Sequence, residues 1–216
     1  MIRILPVELR QSSVLVRGSS GALLYGPKSA PRNASISICF FADSRLPIWV
    51  GNSMRPAIVV HGGATSFKES DHEAILDTVR RAANKGYCVL TNRGTALEAV
   101  EASIWVLEDA GLFTAGRGAT PNAAGYTELD ATIMAGNRRE SGAVMAVRGI
   151  VHPISLARYV LERTPNMQFV SEGAKRLYDQ MVREGFRPED EEGVTGLTPL
   201  AAACDTVGAV AVDLHG

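Results

Sequence analysis

The segment Asp205-Thr206-Val207-Gly208-Ala209-Val210-Ala211-Val212-Asp213 sets a carboxylate beside a hydroxyl, just ahead of a run of small residues and β-formers. It reads as a loop feeding a strand, with Thr206 at the junction. In a continuous chain such a threonine is an ordinary strand opener. If the Asp205–Thr206 peptide is cut, Thr206 becomes an N-terminus carrying both a nucleophilic hydroxyl and an α-amine. A free α-amine titrates at about 7.7–8.0, so near neutral pH it can act as base for the hydroxyl of its own residue. One residue then supplies both the nucleophile and the base of an acyl transfer.

Four further stretches accompany it. His61-Gly62-Gly63-Ala64 follows the strand-like residues 57–60, and two glycines there let the chain turn. Leu107-Glu108, Ala110 and Leu112-Phe113-Thr114-Ala115-Gly116-Arg117-Gly118 close a helix, which locally means a C-cap and a loop. Gly116-Arg117-Gly118 is no dinucleotide fingerprint, because a helix precedes it where that motif needs a strand. Leu129-Asp130-Ala131-Thr132-Ile133-Met134-Ala135-Gly136 precedes Ser141-Gly142-Ala143-Val144, and Asp130 reads as a half-buried structural carboxylate. In this order, ending at the Thr206 segment, the motifs resemble the precursor of the plant-type L-asparaginase/isoaspartyl peptidase family. These are N-terminal-nucleophile (Ntn) hydrolases, and the resemblance covers residues 55–216.

The resemblance implies a four-layer αββα sandwich and autoproteolysis at Asp205-Thr206, with Thr206 the catalytic nucleophile. Its substrates would be the side-chain amide of asparagine or β-aspartyl dipeptides. Gly62 and Gly63 would lie beside the nucleophile. The backbone carbonyls of Leu107, Glu108, Ala110, Phe113, Ala115 and Arg117 would wrap a structural sodium ion, with no other cofactor. Thr114 stands where the family has an asparagine whose amide helps hold the nucleophile. The family's substrate-gripping residues lie after the threonine, and ten residues follow Thr206 here. The chain is therefore expected to be the α-half of a precursor, inactive until joined by a β-half in an (αβ)2 assembly. Two alternatives stand: a non-catalytic truncated remnant or interaction module, and a glycosylasparaginase-type amidase. Against the latter, Thr206-Val207-Gly208-Ala209 stands where that branch has Thr-Ile-Gly-Met.

Composition narrows the field. With 216 residues and 46% apolar content the chain can bury a core of one domain, at most two. A formal charge of −1 gives no pull toward nucleic acid or an acidic membrane surface. Cys39, Cys88 and Cys204 are odd in number and widely spaced, which argues against a disulfide framework or zinc site. His72-Glu73 lacks the second histidine of a zincin helix, with Leu76 in its place. No apolar run reaches the roughly 18 residues that span a bilayer. The expected setting is cytoplasmic.

Residues 1–53 stand apart, with six basic and two acidic side chains against sixteen and twenty-one in the remainder. They read as a non-core extension upstream of a start at Met54, as an Arg/Ser-rich targeting peptide, or as a secretory leader. Residues 54–205 form the α-subunit-like part and 206–216 the start of the β-subunit-like part. Periodicity predicts a helix over 71–84 stopped by Lys85-Gly86, and another opened by Gly94-Thr95 with Leu97, Val100, Ile104 and Leu107 on one face. Strands are predicted at 57–60, 128–134, 143–147 and 207–212, and helices at 153–163 and 171–184. The acidic stretch 187–199 reads as a solvated loop. Strands and helices do not alternate as βαβ units would, so the fold class is α+β.

Overall fold

A computed structural model describes residues 13–17, 22–27, 36–42, 49–50, 53–65, 69–187 and 206–215. Ten strands and four α-helices fall within them: β1 (Ser13–Arg17), β2 (Ala22–Pro27), β3 (Ile36–Ala42), β4 (Trp49–Val50), β5 (Ser53–Met54), β6 (Ala57–Thr65), α1 (His72–Thr91), α2 (Ala96–Asp109), β7 (Leu129–Ala135), β8 (Glu140–Val147), α3 (Pro153–Arg163), β9 (Gln168–Val170), α4 (Ser171–Arg183) and β10 (Gly208–Val212). One sheet has the order β1-β2-β3-β6-β10, a second β7-β8-β9, and β4 pairs with β5. The short apolar run at 36–41 is strand β3, which lies antiparallel to β6 with Phe40 opposite Val60.

Each of the two larger sheets is backed by a helix pair. Helix α1 packs on β6, α2 on β10, and α3 and α4 on β8. Ile58, Val60, Ile75, Val79, Leu90 and Leu107 are essentially solvent-free on one side, as are Val144, Val147, Leu156, Val160 and Met181 on the other. Burying a Val, Leu or Ile side chain stabilises the fold by roughly 1.5–3 kcal/mol. The arrangement is α+β, as the element order predicts.

The predicted end of α1 is corrected. The helix runs through Lys85-Gly86 to Thr91, because Gly86 serves packing rather than termination. A β-carbon there would stand 2.2 Å from Ser103 Oγ and 2.8 Å from the Ala99 carbonyl oxygen. The missing side chain lets α1 and α2 cross closely, and Ser103 Oγ donates to the Ala82 carbonyl oxygen at 2.9 Å. Helix α2 starts where expected: Thr95 and Glu98 form a reciprocal capping box. Strand β9 had no counterpart among the predicted elements. It pairs in parallel with β8, Phe169 beside Val144.

Candidate functional site

Strand β10 is held by an antiparallel ladder to β6, with Gly208 opposite His61 and Val210 opposite Val59. Continuing that register two residues upstream sets Thr206 level with Gly63. Thr206 is exposed, and its Oγ1 lies 3.4 Å from the Val207 carbonyl oxygen. Asp205, the other half of the predicted cleavage site, lies outside the described residues, as does the acidic loop beyond Arg187.

The turn predicted at Gly62-Gly63 is absent, since β6 continues through both to Thr65. Their glycine character has another cause. At Gly62 a β-carbon would lie 2.4 Å from Val79 Cγ2 and 3.1 Å from Phe113 Cε1. Helix α1 and the loop after α2 therefore close directly onto the strand backbone. Gly63 has a φ of 105°, and its N–H donates to His61 Nδ1 at 3.3 Å.

A cavity of about 510 Å³ lies in front of Thr206, in the size range of small-molecule sites. Helix α2 contributes Val100, Ile104 and Glu108. The following loop adds Thr114, Ala115 and Gly116, β7 adds Asp130 and Thr132, and the β10 side adds Thr206, Val207 and Ala209. Sequence positions more than a hundred residues apart thus meet in one place. Asp130 is exposed at the cavity, not half-buried as expected. A bulge between Leu129 and Ala131 turns it outward. Its Oδ1 accepts from the Ala146 N–H at 2.8 Å. Ala146 has a φ of 50°, a conformation costing a non-glycine residue roughly 1–2 kcal/mol, so the carboxylate anchors a strained strand.

The loop expected to wrap a cation folds back on itself. Ala110 C-caps α2, and a short 3-10 turn spans Gly116–Gly118. The carbonyl oxygens of Glu108 and Phe113 lie 2.4 and 2.1 Å from where β-carbons on Gly116 and Gly118 would stand. Such a carbonyl-lined cradle has the hard-oxygen chemistry that suits an alkali or alkaline-earth ion. The Arg117 side chain turns away from it, its Nε donating to Asp109 Oδ1 at 3.1 Å. Among the described residues no cluster of three His, Cys, Asp or Glu side chains is set to hold a metal.

Behind the cavity lies a polar assembly that sequence reading missed. His152 is buried and stacked 3.8 Å from the Trp105 ring. Its Nδ1 lies 3.1 Å from Glu108 Oε2 and its Nε2 3.3 Å from Asp109 Oδ1. Glu101, 1% exposed, accepts from Ser155 Oγ at 2.6 Å, Arg158 at 2.7 Å and Arg187 Nε at 3.0 Å, with a second, shorter contact to Arg187. Burial alone would push the Glu101 carboxyl up. The hydrogen bonds from Arg187, Ser155 and Arg158 outweigh it and hold the group below the usual carboxylate range. Glu128, at the cavity rim, is also held low by hydrogen bonds from Arg148 and Asn122. A signal for Glu101 and Glu108 was available: each lies four residues beyond an apolar position of α2, Leu97 and Ile104, on the stripe that faces inward.

No helix among the described residues is long and apolar enough to cross a membrane. The family described as Asparaginase matches residues 54–195. A Xenopus laevis protein named isoaspartyl peptidase/L-asparaginase is 41% identical over 176 residues, 76% of this chain and 57% of that protein. The Homo sapiens protein of the same name is 36% identical over 178 residues, 76% and 58% of the two lengths. A plant-type L-asparaginase of Pyrococcus abyssi is 43% identical over 137 residues, 63% and 45%. The chain spans somewhat over half the length of the curated relatives it matches. With its motifs, its α+β elements and most of its length accounted for in this way, the chain belongs to the asparaginase family, whose fold is the αββα sandwich of the Ntn hydrolases.

Proposed function

We propose that this chain is the α-subunit-like part of an L-asparaginase/isoaspartyl peptidase precursor that activates itself by cleavage at Asp205–Thr206. The observation that carries the reading is the placement of Thr206. It stands two residues before β10, level with Gly63, at the edge of a cavity lined by α2, β7 and the β10 segment. Before cleavage the Thr206 nitrogen is an amide and cannot act as a base. Oγ1 attacks the Asp205 carbonyl carbon, the C–N bond breaks as the ester forms, the hydroxyl proton ends on the released Thr206 nitrogen, and water hydrolyses the ester. Asp205 leaves as a new C-terminus with no part in turnover.

In the cut enzyme, Oγ1 attacks the substrate's side-chain carbonyl while its proton passes to the α-amine. The amine returns that proton to the departing nitrogen. An acyl ester on Thr206 remains, and water, deprotonated by the same amine, releases the acid. The carbonyls of Leu107, Glu108, Ala110, Phe113, Ala115 and Arg117 would hold a sodium ion, which would brace the loop bearing Thr114. Oxyanion donors and the groups that grip the substrate's α-amine and α-carboxylate would come from a β-half that follows Thr206. Family relatives named for L-asparaginase and isoaspartyl peptidase activity support both substrate classes.

The test is expression from the complete gene, followed by a denaturing gel, N-terminal sequencing of the fragments and assays with asparagine and β-aspartyl dipeptides. Two fragments, the second beginning at Thr206, and hydrolysis of either substrate are expected. Thr206→Ala should leave one uncut band and no activity. A fragment that begins elsewhere would remove Thr206 from the role.

A further inference from the structure

Thr114 is the one cavity-lining side chain whose polar atom is both buried and without a hydrogen-bond partner among the described residues. The three carboxylates around it are engaged. Glu108 meets His152, Asp130 accepts from the Ala146 N–H, and Glu128 accepts from Arg148 and Asn122. A hydroxyl shielded from water with nothing to bond is destabilising. Such a group persists where a site gains something from it. A turn of about 120° about χ1 moves the hydroxyl to another staggered position of the β-carbon, and Thr114 itself lines the cavity. The cavity lining includes three carboxylates, Glu108, Glu128 and Asp130, and no lysine or arginine among the described residues. Its occupant therefore presents N–H groups, not carboxylates, to this wall.

Resting on the reading that Thr206 works in this cavity, we propose that Thr114 is a substrate-contacting residue. Its hydroxyl accepts a hydrogen bond from the amide or amine N–H of the bound asparagine or β-aspartyl dipeptide. The contact exists in the bound ground state and persists into the transition state, so it acts on binding and not on the chemical step. Both classes carry N–H on the α-amine and on the departing nitrogen; with the α-amine gripped by the β-half, the departing nitrogen is the group this contact would orient.

The test uses the processed protein expressed from its complete gene, with Thr114→Val to remove the hydroxyl at constant shape and Thr114→Ser to keep it. A single neutral hydrogen bond corresponds to about a three- to tenfold effect. Thr114→Val should raise the KM for asparagine by that factor, with kcat within twofold and self-cleavage at wild-type rate. Thr114→Ser should stay near wild type. An unchanged KM would overturn the proposal. A lower kcat with KM held, or slowed self-cleavage, would also overturn it, since the hydroxyl would then act on Thr206 instead. Equal losses in Thr114→Ser would mark a packing role and do the same. If the wild-type protein hydrolyses neither substrate, the reading of the cavity fails first and the contact falls with it. If wild type is active and only the KM prediction fails, the cavity reading stands alone.

Discussion

Replacing Glu101 by Gln tests the buried ionic assembly behind the site. The side chain keeps its shape, but the carboxylate that accepts from Ser155, Arg158 and Arg187 becomes an amide with one acceptor and a donor facing two guanidinium groups. Breaking a buried ion pair by altering one partner costs about 3–5 kcal/mol. The Arg187 side chain is 37% exposed, so its share is reduced toward the roughly 0–1 kcal/mol of a surface pair. Arg158, 12% exposed, keeps Glu162 at 2.8 Å as partial compensation. About 3 kcal/mol remains, which for a domain of this size lowers Tm by roughly 6–12 °C. The pH dependence has a definite sign. Glu101 has a depressed pKa in the fold, so its stabilisation is fully present above the unfolded value of about 4.3 and fades as pH falls through the lower folded value. Calorimetric melts of wild type and Glu101→Gln at steps from pH 7 to pH 3 should show a gap that is constant above pH 5 and narrows in acid. Equal melting at pH 7, or a gap that stays the same down to pH 3, would refute this account of the assembly.

Other outcomes follow from the same coordinates. Gly86→Ala forces a β-carbon against Ser103 and Ala99 at the α1–α2 crossing, and denaturant unfolding should show a loss of about 1–3 kcal/mol. Thr95→Ala removes the capping box of α2, and the same assay should register a loss of about 1 kcal/mol. Asp130→Ala frees the Ala146 N–H, which should lower stability by about 1 kcal/mol and show as faster amide exchange at Ala146. Replacing sodium in the buffer by choline should lower Tm if the loop at 107–117 binds the ion, and no shift would argue that it does not.

The sequence disclosed the parts that are contiguous. The strand after Thr206, the loop after α2 and the start of α2 at Thr95 are local patterns that residue types alone predict. The glycines misled because their local meaning and their tertiary one differ. Gly62 and Gly86 look like breaks in a strand and a helix, yet both elements run on through them, and the absent side chains admit Val79, Phe113 and Ser103. Glu101 was opaque for a different reason. Its partners lie 54, 57 and 86 residues away, so no window along the chain contains them, although its place on the inward stripe of α2 hints at burial. Strand β9 is three residues long, too short for a period of two to declare itself.

The ladder between β6 and β10 joins residues about 150 positions apart, and that bears on what severing the chain at Thr206 does. The strand that begins the second piece is threaded beside β6 of the first piece and packs on α2. Scission there would change connectivity while leaving the β6–β10 ladder in place, and the pieces would stay together without a covalent bond. Unfolding, however, becomes a dissociation. The melting point of the nicked protein should rise with protein concentration, whereas that of an uncut Thr206→Ala chain does not depend on separating two pieces. A denaturing gel would count two polypeptides where a sizing column finds one particle, and mixing separately made halves would offer a route to rebuild the enzyme from its parts.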